Sequence, residues 1–426
     1  MFIIYGNFIH TPVRGELEVL SNHLMVVDQG IIVLLSSEFT NDANPTTLVS
    51  HVMSKFPGTT LTSLLFVSRH QFIVPGMIDT HVHAPQFVFH GSATGVPLME
   101  WLHQNTFPAE SKMKDVDYAK TVWKREASQA LADEIERRRQ RGYVGKINMD
   151  RNSIPEYIED TQESIDETEK FLQYVLEKKN PLIRPVITPR FIPTCSPHLL
   201  AGLGELAEKY GVHVQSHIAE SDDQMAFVEE LHPRETDTEI FEKSGLLTPL
   251  TVMAHGTHLR PSDVQKLVSH RTAVASCPLS NFFFSGKILP LQRYHSEGLT
   301  IGLGSDLAGG YAASMLHSVR NSVIASRNIP SPQPGDAFDF RTGFWHATVG
   351  GAKALSLDKL GCFRVGMEFD ALMIDVSIVE DGPPTHGVDT FEGDTTEVMF
   401  EKWVNCGDER NIKRVWVAGE LILKRE

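Results

Sequence analysis

Two histidines, His81 and His83, stand one residue apart in "IVPGMIDTHVHAPQ", residues 73 to 86, at the end of an apolar run. In a strand successive side chains alternate faces, so both rings face one side, a natural pair of zinc ligands. An isolated H-x-H is more often two hydrogen-bonded histidines, and the pair gains weight from other runs. "VQSHIAE" offers His217 and Glu220, "VMAHG" offers His255 and "GLGSD" offers Asp306. Singly, each has an ordinary reading as a strand or helix cap or a solvated charge. Jointly, three histidines and Asp306 supply zinc with three nitrogens and one oxygen and leave room for water. Zinc lowers the pKa of water to roughly 7. Glu220 then serves as proton carrier, Asp306 takes the proton of the nucleophile, and His255 stabilises the developing negative charge. The chemistry is metal-dependent hydrolysis.

These groups must be brought together by the elements that carry them. Between about residues 73 and 306, short apolar runs alternate with helix-period segments, the signature of βα units and a parallel sheet. The runs expected as barrel strands are "FIVPGMIDTHVH", "YVGKINMD", "IRPVITPR", "VHVQSHIAE", "TVMAHGTHL", "TAVASCPLS" and "TIGLGSD". Each candidate residue then falls at a strand's C-terminal end, where barrel active sites lie. Helices over "TQESIDETEKFLQYVLEKK" and "PHLLAGLGELAEKYG" are expected to pack through Ile165, Leu172, Val175 and Leu176, and through Leu199, Leu203, Leu206 and Tyr210. Residues 1–72 and 363–426 hold β-prone runs, and the two ends are expected to form one small β-sandwich module flanking a barrel over 73–362.

Seven strands are one short of a closed barrel. From Asp115 to Arg141 the sequence has no Pro, no Gly and no β-rich run, while apolar residues recur at helical spacing. A single helix there would be about 40 Å long.

The composition narrows the partners. With 39 Lys and Arg against 54 Asp and Glu, the formal charge of −15 opposes binding to a nucleic-acid backbone or an anionic membrane. A small-molecule substrate fits better. The four cysteines are scattered without a C-x-x-C pair, so reduced thiols in a cytosolic protein are expected. No signal peptide or membrane span is expected either.

The blocks "PGMIDTHVHAPQ", "YVGKINMDRN", "ITPRFIPTCS", "QSHIAES", "VMAHGTHL", "SCPLSNFFFSGK" and "GLGSDLAGGYAASML" resemble, in order, those of the amidohydrolase superfamily, most sharply its guanine-deaminating branch. The resemblance implies a (β/α)8-type barrel that hydrolyses guanine to xanthine and ammonia in purine breakdown, as a cytosolic homodimer. It implies zinc on His81, His83, His217 and Asp306, Glu220 as proton shuttle and His255 as electrophilic helper. It also implies Gln86 and Arg190 as polar handles for the purine, with Phe191 on its ring. An amide and a guanidinium suit a ring's carbonyl and nitrogens, and an aromatic side chain suits its flat face. A surface salt bridge for Arg190 and a core contact for Phe191 are the ordinary alternatives. Two-metal sites of this architecture use a modified lysine on the fourth strand. "IRPVITPRFIPT" has no lysine, so one zinc per subunit is expected, with iron or another divalent ion left open.

The chain departs from the pattern between "ASQAL" and "ADEIERRRQRGYVGK", where relatives carry a Gly-Thr-rich second barrel strand with its helix, on the order of two dozen residues. The count of seven runs finds the same absence. Loss of a strand exposes edges or forces new pairing, and a misplacement near 1 Å can cost about 100-fold in rate. Two other readings follow: an aminohydrolase of another purine, a pterin or a triazine, against which Gln86 and "TPRF" argue, and a barrel serving as a scaffold without catalysis. Cytidine-type zinc deaminases are excluded because no P-C-x-x-C occurs.

Overall fold

A computed structural model of the chain describes residues 1–39, 43–114, 127–329, 338–377 and 388–425. It divides into two compact units, one of Met1–Ile78, Gly335–Ala352 and Leu357–Glu426, the other of Asp79–Pro334 and Lys353–Ser356.

In the first unit the two chain ends combine in one mixed sheet. Its strands are β1 (Phe2–His10), β2 (Glu18–Asp28), β3 (Ile31–Ser36), β4 (Ser63–Phe66), β5 (Gln71–Pro75), then β12 (Ala371–Asp375), β13 (Ile412–Val417) and β14 (Glu420–Lys424). They run in the order β14-β13-β12-β5-β1-β2-β3, with β4 beside β1. The join between the ends is the antiparallel pair β5 and β12, with Ile73 opposite Met373. Alternation along β1 sends Ile4 and Phe8 into a cluster with Met25, Ile73, Phe369 and Trp416. Ile3 and Tyr5 go to the other face, against Leu48 and Val52 of the helix Pro45–Lys55.

The second unit carries a parallel sheet of β6 (Gly142–Asn148), β7 (Ile183–Pro189), β8 (His213–Ile218), β9 (Thr251–His255), β10 (Ala273–Ser276) and β11 (Ile301–Leu303), each beside its neighbour in sequence. These are the last six of the seven expected runs. Helices including Thr161–Glu177, Pro197–Tyr210, Pro261–Ser269 and Met315–Arg327 alternate with them.

The first expected run, "FIVPGMIDTHVH", is not one barrel strand. Its apolar half is β5 and pairs with β1 and β12 in the other sheet. The chain leaves that sheet at Pro75, which has no N–H to continue a ladder. Residues 79 to 83 lie along β11 through two hydrogen bonds, Thr80 N to Leu303 O at 3.0 Å and Asp306 N to His81 O at 2.9 Å. Periodicity could not separate the halves, because both are extended.

Among the described residues no strand lies between β5 and β6, and β6 pairs with β7 alone. Of the long helix considered over 115–141, residues 115–126 lie outside the described residues. Ala127–Arg137 is helical, and Gly142 already begins β6. In the helix Thr161–Glu177 the buried stripe is Ser164, Thr168, Phe171, Leu172 and Val175, whereas Leu176 is exposed. Leu199, Leu203 and Leu206 are buried as expected in Pro197–Tyr210, which Gly211 closes in the left-handed conformation at φ +61°. No described helix is long and apolar enough to cross a membrane, and all four cysteines are free.

The helix Pro197–Tyr210 meets the Ser244 carbonyl so closely at Gly204 that a Cβ there would collide with the oxygen. Gly204→Ala is therefore expected to destabilise the chain by about 1–3 kcal/mol, measured as a lowered midpoint of denaturant unfolding.

Candidate active site

The ends of three parallel strands and the segment beside β11 converge. β8 carries His217 at its next-to-last position and is followed by Glu220, β9 ends at His255, and the loop after β11 carries Asp306. All are buried with His81 and His83, and His255 is fully inaccessible. Ring nitrogens of His81, His217 and His255 and an oxygen of Asp306 lie within 4.8 Å of one another. His83 belongs to the same knot: its Nε2 is 3.0 Å from His217 Nε2, and the two rings stack 5.0 Å apart.

Asp306 sorts the histidines. Its Oδ1 stands 3.4 Å from His81 Nε2 and 3.5 Å from His83 Nε2, whereas its Oδ2 is 3.8 Å from His255 Nε2. His255 thus approaches from the other oxygen, and also stands 3.5 Å from Glu220 Oε1. The Nε2 atoms of His81 and His255 are buried and make no hydrogen bond.

Neighbouring groups fix the ring orientations. His217 Nδ1 is 2.7 Å from the Arg190 carbonyl oxygen and so carries the hydrogen, which leaves Nε2 as a lone pair aimed into the knot. His255 Nδ1 donates to Asn281 Oδ1 at 3.0 Å, which turns its Nε2 edge towards Glu220 and Asp306. Asp79 ties the two ligand-bearing loops together: Oδ1 accepts from His81 N and Ser305 N, and Oδ2 from Ser305 Oγ. Ala219, His255 and Asp306 all adopt positive φ, at 46°, 74° and 47°. Such strain is typical of sites whose surroundings over-determine the backbone.

Burial, reinforced by neighbouring imidazoles, keeps the His83 and His217 rings well below the usual histidine range, so they are neutral with a free lone pair. Burial works against ionisation of Asp306, but His81, His255 and His83 outweigh it and hold its carboxyl well below the ordinary value. Burial pushes Glu220 up to about 7, with His255 opposing and Asp306 adding to the rise.

A small cavity opens beside the knot, lined by Gln86, Trp101, Arg190, Phe191, Glu220 and Phe284 among others. Arg190 is no surface salt bridge. It is buried, its Nη1 donates to Glu110 Oε2 at 2.5 Å, and its guanidinium lies over the Phe107 ring. Phe191 both lines the cavity and packs with Leu98, Trp101, Phe107 and Phe284.

The residues foreseen from sequence are thus all brought to one place. Glu110, Tyr157, Asn281 and Asp79 were missed. Asp79 had a signal, an acidic residue two positions before His81 in an otherwise apolar run. Glu110 had a faint one, a charge three residues after Phe107 in an apolar stretch. Tyr157 and Asn281 had none.

A parallel βα sheet that gathers buried imidazoles and a carboxylate at its strand ends defines a metal-dependent hydrolase. The amidohydrolase family model matches residues 72–422, and the chain belongs to that family. It is 36% identical to human guanine deaminase over 447 aligned positions (99% of this chain, 96% of the relative). To guanine deaminase of Dictyostelium discoideum it is 34% identical over 445 (98% and 97%). Its fold superposes on the crystal structure of guanine deaminase from C. acetobutylicum with bound guanine in the active site, with TM-score 0.85, 28% identity and 99% coverage of both chains. The human alignment is longer than the 426-residue chain by 21 positions, so that relative carries residues with no counterpart here.

Removing the Asp79 carboxylate would leave the His81 and Ser305 donors without their acceptor. Asp79→Ala is expected to cost about 2–4 kcal/mol, measured by denaturant unfolding.

Proposed function

We propose that this chain hydrolyses guanine to xanthine and ammonia with one bound zinc ion per subunit. The observation that carries this reading is the buried knot of imidazoles and Asp306 opening directly onto a cavity lined by Gln86, Arg190 and Phe191. The guanine deaminases named above support the choice of purine.

The donor set fits a divalent cation. Neutral rings with lone pairs aimed inward, a carboxylate held anionic, and a buried His81 Nε2 without a hydrogen bond are what a nitrogen- and oxygen-liganded ion requires. His81, His83, His217 and Asp306 would hold it. His255 is assigned outside this set because it faces the other oxygen of Asp306 and Glu220. When bound, zinc supplies the Lewis acidity that lowers the pKa of water to roughly 7.

The chain's own groups do the rest. Glu220, with its carboxyl raised to about 7, both accepts and returns a proton near neutral pH, taking it from water and delivering it to the purine and its departing amine. His255, oriented by Asn281, faces charge that develops beside Asp306 Oδ2 and stabilises it. Asp306 accepts the proton of the nucleophile. Gln86 and Arg190 read the purine's carbonyl and ring nitrogens, and Phe191 covers its face. A homodimer located in the cytosol accompanies this reading by family resemblance.

That no strand lies between β5 and β6 among the described residues favours one second reading, a barrel retained as a scaffold without turnover. The purified chain separates the two by zinc content and by optical loss of guanine. Stoichiometric zinc and turnover are expected, with both lost in His217→Ala. A folded chain with neither would establish the scaffold. Glu220→Gln is expected to keep its zinc while kcat falls by roughly 10²–10⁴-fold. Metal analysis of two further variants tests the ligand set: His83→Ala should lose zinc and His255→Ala should retain it, and the reverse would exchange their roles.

A further inference from the structure

Glu110 lies on the short helix Phe107–Ser111, and its side chain is completely buried. Its Oε1 accepts from Gln86 Nε2 at 3.0 Å, and its Oε2 accepts from Arg190 Nη1 at 2.5 Å and from the Tyr157 hydroxyl at 3.0 Å. Gln86 Oε1 in turn accepts from Ala308 N at 3.1 Å, so both ends of that amide are fixed. Three residues before Glu110, Phe107 lies 5.0 Å from the Arg190 guanidinium. One helical turn therefore supplies both the anion and the ring that hold Arg190.

A fully buried ion pair is an expensive way to gain stability, because desolvating two charges offsets most of their attraction. This pair does something an apolar replacement could not. It sets the direction of two hydrogen-bonding side chains in the cavity wall and cancels the charge of one of them. Without the carboxylate, Arg190 would lose its paired anion, with only the carboxyls of Glu220 and Asp306 in the same cavity to offset it, and would favour anionic ligands more.

We propose that Glu110 is the specificity-determining positioning residue of this site: it locks Gln86 and Arg190 as one reading unit and neutralises Arg190, so that the cavity selects a neutral lactam purine over an anionic oxopurine. The proposal rests on the guanine reading for its choice of ligands. Its chemical consequence concerns the product as well as the substrate. Xanthine, with a second oxo group, is more acidic than guanine, and a site with a cancelled charge releases it more readily.

The test is steady-state kinetics of the full metal-loaded chain on guanine, with xanthine as inhibitor, for the wild type and Glu110→Gln. The variant is expected to raise KM for guanine roughly 10–100-fold with a smaller change in kcat and unchanged zinc. Xanthine should inhibit it more strongly relative to guanine, and more so at mildly alkaline than at mildly acidic pH. An unchanged KM, or equal weakening of guanine and xanthine at every pH, would overturn the assignment, since a purely structural role predicts that pattern. If Glu110→Gln does not fold, Tyr157→Phe removes one of the hydrogen bonds holding the carboxylate and should raise KM about 2–10-fold; no change would overturn it equally. If the wild type leaves guanine untouched, the guanine reading fails by itself. Glu110 is then judged on ligand-induced thermal shifts, where a gain for xanthine over guanine in Glu110→Gln supports the assignment and identical shifts in both proteins reject it.

Discussion

The two oxygens of the Asp306 carboxylate face two different populations of imidazole, and the rest of the site is arranged around that division. Oδ1 looks to His81 and His83, Oδ2 to His255. A single side chain on a strained loop thereby separates two groups of imidazoles only a few ångströms apart, the division on which the proposed roles rest. The separation depends on burial. In water, imidazoles titrate near 6.5 and carboxylates near 4, whereas here burial holds His83 and His217 neutral and raises Glu220 to about 7.

Few of these side chains are left to orient themselves. His217 is turned by the carbonyl of Arg190, and Arg190 is fixed by Glu110, so the imidazole knot and the cavity wall share a support. Glu220 is held in similar fashion: its N–H donates to Gln224, which with the Ala219 N–H is anchored on the buried Asp237. Asp79 links the backbone of His81 to the loop that presents Asp306. Pre-organisation of this kind is what allows dipoles and proton carriers to act without reorganising during the reaction.

The apparent loss of a strand touches this arrangement less than its position suggests. β8, β9, β10 and β11 form an uninterrupted ladder, and the H-x-H segment docks on β11 by its own hydrogen bonds. β6, which among the described residues pairs with β7 alone, contributes no proposed metal ligand. The cavity wall on that side is built from the helical turns between Leu98 and Ser111, which pack Trp101 and Phe107 with Phe191 and Phe284. Those turns precede the departure from the family pattern, whereas Arg190, Phe191 and Phe284 follow it, so this wall is assembled from both sides of the departure.

Much of the fold was legible because it is local. Alternating apolar runs and helical periods reveal parallel strands, and polar residues at run ends reveal a rim. Residue type alone marks His81, His83, His217, His255 and Asp306, since few other roles bring such groups to successive strand ends. What could not be read is what depends on contacts distant in sequence. Nothing in "IVPGMIDTHVH" says that its first half joins one sheet and its second half another, because both are extended and only their partners differ. Nor does the sequence say which oxygen of Asp306 each histidine meets, or that Glu110 lies within hydrogen-bonding distance of both Gln86 and Arg190, 24 and 80 residues away. The sequence by itself determined the donors and the class of chemistry, because these follow from residue type and short-range periodicity. Only the tertiary structure decided which donor faces which oxygen of Asp306 and what holds each in place, because that depends on burial and on ångström-scale distances between distant elements.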